Sequence, residues 1–253
     1  MITQYHRPQT LDEALKLLSR PNTFPLGGGT LLSHRQSDSV EVVDLQALGL
    51  DSIKKSGNSL EIGATATLQQ LFEDPNCPTG LKSALKLEAP LNLRNAATVA
   101  GTIASCDGRS TFVTSLLALD AKLTIIKSKP ETINLGDFIP LRPRGLIIAL
   151  SIPLQAKIAF DYVSRTPADK PIVCVALAQW PSGRTRLAVG GYGKAPMLAM
   201  DGTEAKGAST SSVEAAARNA FHEAKDEWAS AEYRQDVAAT LAKRCMEYRM
   251  KSA

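Results

Sequence analysis

Phe24-Pro25-Leu26-Gly27-Gly28-Gly29-Thr30-Leu31-Leu32 is a short apolar entry into three consecutive glycines, followed by a hydroxyl and a second apolar run. Glycine has no Cβ, so such a turn brings several backbone N–H groups against a large anion without steric conflict. The run matches neither the Rossmann G-x-G-x-x-G nor the P-loop, which ends in Gly-Lys-Ser/Thr. On its own it also reads as a tight turn after a strand. A second small-residue stretch, Arg94-Asn95-Ala96-Ala97-Thr98-Val99-Ala100-Gly101-Thr102-Ile103-Ala104-Ser105, is lined with hydroxyls and backbone donors. Two such loops, separated by strand, helix and turn, can close on one extended ligand from two sides, and a diphosphate is the candidate.

Outward from the glycines, Thr10-Leu11-Asp12-Glu13 has the pattern of a capping box, and Leu11, Ala14, Leu15 and Leu18 recur at helical spacing until Pro21. Phe24 to Leu26 reads as a short strand, Leu31-Leu32 as a short helix or loop, and Val40 to Leu45 as the next strand. Gly49 to Gly57 reads as a linker, Leu60 to Gly63 as a strand, and Thr67 to Gln70 as a second capping box. Leu81, Leu85 and Leu87 suggest a helix that Pro90 closes. Ile103-Ala104-Ser105 passes as a strand and Phe112 to Leu119 as a helix end or buried segment. Leu123 to Ile126 reads as a strand with alternating exposure, and Leu146 to Ile152 as one buried on both sides.

Beyond Pro153 the pattern changes. Phe160 to Arg165, Ile172 to Gln179 and Arg184 to Val189 read as three strands, the last two joined by a Trp180-Pro181-Ser182-Gly183 hairpin. Ser211-Ser212-Val213-Glu214 caps a helix, and Tyr233, Val237 and Leu241 line a last helix ending near Arg249. Three strands and two helices make a separate C-terminal unit of the α+β class.

The chain has 253 residues, 44% hydrophobic and 21% charged, which is ordinary for a globular protein with real cores. Its net charge of +4 is scattered, so nucleic acid is a poor partner. Cys77, Cys106, Cys174 and Cys245 show no C-x-x-C spacing, and His6, His34 and His222 stand isolated, so no metal or iron–sulfur site assembles locally. Dispersed cysteines indicate a reducing compartment. With no leader-like start and no long apolar run, the expectation is a cytoplasmic protein without membrane insertion. No Ser/His/Asp or Cys/His constellation offers a catalytic residue.

The two loops carry a resemblance. Gly27-Gly28-Gly29-Thr30-Leu31 and Arg94-Asn95-Ala96-Ala97-Thr98-Val99-Ala100-Gly101-Thr102 resemble the flavin-diphosphate loops of the FAD-binding medium subunits of the molybdenum hydroxylases, the xanthine dehydrogenase and carbon monoxide dehydrogenase family. That family reads Ala-Gly-Gly-Thr-Asp and Arg-Asn-x-x-Thr-Ile-Gly-Gly-Asn there. The likeness continues through Tyr5-His6-Arg7-Pro8, Val42 to Leu45, Leu60 to Ala64, Leu116 to Ala121, Gly136 to Phe138, Leu150 to Pro153, Ala188 to Gly191 and Ser230 to Arg234.

The resemblance implies an α+β fold with a two-lobed FAD-binding domain of the vanillyl-alcohol oxidase type over 1–54 and 55–156. A C-terminal domain over 157–253, with a three-stranded antiparallel sheet and helices, completes it. It implies FAD contacts at Leu26, Gly27, Gly28, Gly29, Thr30, Leu31, Thr98, Val99, Ala100, Gly101, Thr102, Thr111, Ile147 and Tyr162. Ala100, Thr102, Leu31, Thr111 and Tyr162 depart from the family's residues, and Tyr162 stands where a lysine commonly approaches the flavin. Core packing is the competing role for Ile147 and Tyr162.

By the same resemblance this is an oxidoreductase subunit of a hetero-oligomer. Molybdopterin would sit on a large partner subunit and [2Fe-2S] clusters on a small one, with electrons delivered through FAD here to an acceptor such as NAD or a quinone. A flavin-free scaffold of the same fold and a stand-alone flavin oxidoreductase are the alternatives.

Overall fold

The computed structural model describes residues 1–32, 39–204 and 208–251, and His34 lies outside them. The chain opens with β1 (Ile2–His6), α1 (Leu11–Leu18), β2 (Thr23–Leu26) and β3 (Val40–Asp44). Among the described residues these strands form a parallel sheet in the order β1-β3-β2. Thr10 caps α1 by accepting from the Glu13 N–H, while the Glu13 carboxylate reaches the Gln9 N–H, so the expected box closes one residue early. Ala14 of α1 packs on Val43 and Leu45.

Next come β4 (Ile53–Ser56), β5 (Ser59–Gly63), α2 (Leu68–Glu73), α3 (Thr79–Glu88), α4 (Leu91–Arg94), α5 (Val99–Ser105), α6 (Thr111–Ala118), β6 (Lys122–Ile126), β7 (Pro130–Asn134), α7 (Leu135–Leu141) and β8 (Leu146–Pro153). The five strands pair antiparallel in the order β4-β5-β8-β6-β7. The Thr67–Gln70 capping box is complete. Strand β8 is central. Its Leu146 joins the cluster of Ala14, Val43 and Leu45, while Ile147, Leu150 and Ile152 enter the main core with Leu60, Phe112 and Leu116. One strand thus fastens the N-terminal sheet to the rest.

The remainder is β9 (Lys157–Val163), β10 (Val173–Gln179), β11 (Arg184–Gly190), β12 (Met197–Thr203), α8 (Thr210–Asn219) and α9 (Ala231–Lys251). The C-terminal sheet has four strands, β12-β11-β10-β9, and not three. The extra strand, Met197-Leu198-Ala199-Met200-Asp201-Gly202-Thr203, lacks β-branched residues before its end and sits at a sheet edge, so pairing with β11 makes it a strand where propensity does not. Other expectations change for similar reasons. The Gly49–Gly57 linker contains β4, a hairpin arm turned by Gly57 at φ +56°. Ile103-Ala104-Ser105 is helical because Thr98 caps α5. Ser209, not Ser211, caps α8.

Helices α8 and α9 cover one face of the C-terminal sheet, with Val213, Ala217 and Leu241 packed on Val175, Leu177 and Leu187. Arg234 of α9 is fully buried (0% exposed) and binds both carboxylate oxygens of Asp226 at 2.8 and 2.9 Å. It also donates to the Ala224 carbonyl at 2.8 Å and lies over the Tyr192 ring. No helix among the described residues is long and apolar enough to cross a membrane.

A buried ion pair broken from one side leaves an uncompensated charge. Asp226→Ala should therefore cost about 3–5 kcal/mol in urea unfolding. The pH dependence follows from the same pair and from Asp201. Burial pushes the Asp226 carboxyl up, but hydrogen bonds from Arg234 and from the Trp228 and Ala229 N–H groups outweigh it and hold it below the usual range. Asp201 is lowered chiefly by its hydrogen bond from Arg184. Depressed carboxyls stabilise the fold above their unfolded pKa, about 3.9, and lose that contribution as pH falls through the folded values. The urea midpoint should drop on acidification below about pH 4, less steeply in Asp201→Asn.

Candidate functional site

The two loops meet. A Cβ built on Gly28 would lie 1.6 Å from the Ala96 carbonyl oxygen, and one on Gly27 would lie 2.5 Å from Thr98 Oγ1. Glycine at these positions is what lets the loops touch. Gly29 completes the turn at φ +69°, in the left-handed region. Gly27 to Thr30 are half-buried, Leu31 points to solvent, and Leu26 ends β2. The N–H groups of Gly27 to Thr30 donate no hydrogen bond to another described residue. The four residues are half-buried, so this backbone is partly open to solvent.

The second loop is built differently. Its residues lie along the segment after β5: the Leu68 N–H donates to Ala97 O, Val99 N–H to Ala66 O and Ala100 N–H to Ala64 O, at 2.9–3.1 Å. The Gly101 N–H donates to Thr98 Oγ1 at 3.2 Å, and both the N–H and the hydroxyl of Thr102 donate to Thr98 O at 2.9 Å. The donors from Val99 to Thr102 are therefore consumed within the fold, and Thr98 and Val99 are buried. This loop acts as a wall against which the glycines are set.

Arg94 holds that wall. Buried under the loop, it donates through Nε to Gln69 Oε1 at 2.9 Å and through Nη1 to the carbonyls of Ala89 at 2.8 Å and Lys86 at 3.2 Å. Its guanidinium also lies over Phe72. Helices α2, α3 and α4 are thereby tied together two residues before Ala96.

The remaining expected residues sit on other elements. Ile147 is 6% exposed in the main core, opposite Ile125. Thr111 is 1% exposed at the start of α6, its hydroxyl shared between Ala84 O at 2.7 Å and Glu88 Oε2 at 3.1 Å. Tyr162, 37% exposed on β9, stacks on Phe160 and pairs in register with Cys174.

Sequence reasoning missed Glu88, which accepts from the Phe112 N–H of α6 from 24 residues away and so left no local signal. A half-open cleft of about 670 Å³ between α6, α7, β11 and β12 shares no lining residue with either loop. Burial pushes the Cys106 thiol up to about 11, against the pull of Arg142, and the Cys77, Cys174 and Cys245 thiols up to about 12, so all four stay protonated. Among the described residues no group of three or more His, Cys, Asp or Glu side chains is placed to hold a metal ion.

Comparison with known proteins agrees with this architecture. The chain is 28% identical over 246 residues to the uncharacterized protein YgfM of Escherichia coli K12, covering 95% of this chain and 94% of that one. It is 29% identical over 214 residues to the putative xanthine dehydrogenase FAD-binding subunit XdhB of the same organism, covering 74% and 73%. It shares its fold with a chain of quinoline 2-oxidoreductase from Pseudomonas putida 86, with a TM-score of 0.83 at 22% identity over 99% of this chain and 97% of that one. Residues 1–155 match the family described as the FAD binding domain in molybdopterin dehydrogenase. That span is more than half of the chain, and the chain belongs to this family.

Proposed function

We propose that this chain is the FAD-binding electron-transfer subunit of a molybdopterin-dependent dehydrogenase. In this reading a large partner subunit oxidises substrate at its molybdopterin centre, and a small one carries electrons through [2Fe-2S] clusters. This chain passes them on to an acceptor such as NAD or a quinone. The observation that carries the reading is the run of N–H groups from Gly27 to Thr30 that have no partner among the described residues, beside Ala96 and Thr98 in a contact that only glycine permits.

Such a row suits the diphosphate of FAD, because successive backbone donors concentrate positive potential without a charged side chain. Bound FAD would supply the one- and two-electron chemistry, and the protein would supply orientation and electrostatics. Gly27, Gly28, Gly29 and Thr30 would hold the diphosphate. Leu26, Leu31 and the Thr98–Thr102 wall would shape the slot, and Tyr162 and Thr111 would border its far end. No general base or nucleophile is required of this chain, in keeping with its protonated, buried thiols.

Reconstitution tests the reading. The purified chain incubated with FAD and desalted should retain the absorption bands of oxidised flavin, whereas a chain that stays colourless is the flavin-free scaffold. Turnover of a small-molecule substrate by the chain alone would replace the relay with a stand-alone oxidoreductase. Gly28→Ala, forced against Ala96, should weaken FAD binding by about 10- to 100-fold, since overpacking costs about 1–3 kcal/mol. Gly202→Ala, which meets nothing within 4 Å, should bind FAD as the wild type does. Fluorescence quenching of FAD on titration with protein reads both.

A further inference from the structure

The half-open cleft between α6, α7, β11 and β12 has a floor of paired charges. Arg184 on β11 gives Nε and Nη2 to the two carboxylate oxygens of Asp201 on β12, at 2.9 and 2.7 Å, and Nη1 to Asp120 at 2.8 Å. Arg186, two residues on, shares Nη1 between Asp201 and Asp120 and gives Nη2 to the Leu117 carbonyl at 3.1 Å. Two arginines and two aspartates leave this floor without net charge.

Three irregularities meet there. Asp120, just past the end of α6, holds φ +54°, a left-handed position that glycine ordinarily takes after a helix. The backbone cost keeps a carboxylate where both arginines reach it. Strand β12 is bulged: Ala188 pairs with Leu198 and Leu187 with Met200, which leaves Ala199 over. Leu198 and Asp201, three residues apart, therefore stand on one face of the strand, an apolar side chain beside the charged floor. Finally, Arg186 is 4% exposed, and its buried Nε has no hydrogen-bond partner among the described residues. A buried donor left unpaired is costly and calls for an acceptor.

The walls are apolar. Leu117 and Ile139 are buried, while Met197 and Leu198 are 37% and 40% exposed at the open side. The volume of about 670 Å³ lies within the range of small-molecule sites, about 300–1,000 Å³. None of the lining residues belongs to either loop, so what the cleft holds is independent of the FAD reading.

We propose that this cleft binds an uncharged, largely apolar organic molecule that carries a carbonyl oxygen or an equivalent neutral acceptor. Its apolar body lies against Leu117, Ile139, Met197 and Leu198, and its acceptor takes the Arg186 Nε–H. Met197, unbranched and partly exposed, is the part of the wall that yields to admit the acceptor. Charged ligands are selected against: a carboxylate would meet Asp120 and Asp201, and an ammonium would meet Arg186, in a floor whose charges already have partners.

The experiment is a titration of the full ¹³C,¹⁵N-labelled chain with acetophenone as the probe, followed at the Arg186 Nε–H and Met197 methyl resonances. Both should shift and saturate. Ethylbenzene, of nearly the same shape without the oxygen, leaves the donor unpaired and should bind about 10-fold more weakly, with the Nε–H resonance unmoved. Benzoate and benzylamine should also bind more weakly than acetophenone. Met197→Trp, which fills the cleft from a partly exposed edge position, should abolish the acetophenone shifts. Equal binding of acetophenone and ethylbenzene, or tighter binding of benzoate or benzylamine, overturns the assigned chemistry. No saturable shift at Arg186 up to the solubility of acetophenone, or shifts that persist in Met197→Trp, overturns the site. Should Met197→Trp fail to fold, the four-probe comparison on the wild-type chain decides alone.

Discussion

The Ala96 carbonyl occupies the place where a side chain on residue 28 would begin, and much of the molecule is arranged to keep it there. From one side, β2 delivers the glycine turn and is fixed by β3, which in turn is clamped to the main body through Leu146 on β8. From the other, Arg94 binds the end of α3 and Gln69 of α2, and the 97–100 segment is laced to residues 64–68. A methyl group on residue 28 would meet the Ala96 carbonyl, so one loop or the other would have to shift.

This division of labour explains how the chain tolerates residues unlike those of the family it resembles. Ala100 and Thr102 replace Gly and Asn, yet the donors of that loop already serve the fold, so these side chains have little to contribute to a ligand. In the proposed reading recognition would rest with backbone groups of the first loop, whose geometry depends on the absence of side chains. Thr111 stands where the family commonly places an acid, and its hydroxyl donates to Glu88 of a different helix.

Features encoded by neighbours in sequence were readable directly. The Thr67–Gln70 capping box, the Pro90 stop, the buried run of β8 and the two glycine-bearing loops all rest on contacts within a few residues or on unbroken apolar pattern. Features created by pairing across the chain were not. Strand β12 has the composition of a helix and is a strand because β11 lies beside it; β4 is a polar hairpin arm within the Gly49–Gly57 stretch that reads as a linker. At the site, the contact between Gly28 and Ala96 joins residues 68 apart, and Glu88 meets α6 only after α3 has packed on it. The loops could be named from sequence, but which of them leaves its donors without a partner among the described residues is a property of the folded hydrogen-bond network.

That last property is the most direct point of attack. Backbone amide resonances of the ¹⁵N-labelled chain, followed during titration with FAD, should shift most at Gly27 to Thr30 and only weakly at Val99 to Thr102, whose N–H groups already have partners. Shifts concentrated at Val99 to Thr102, or absent from both loops while FAD binds, would contradict the account.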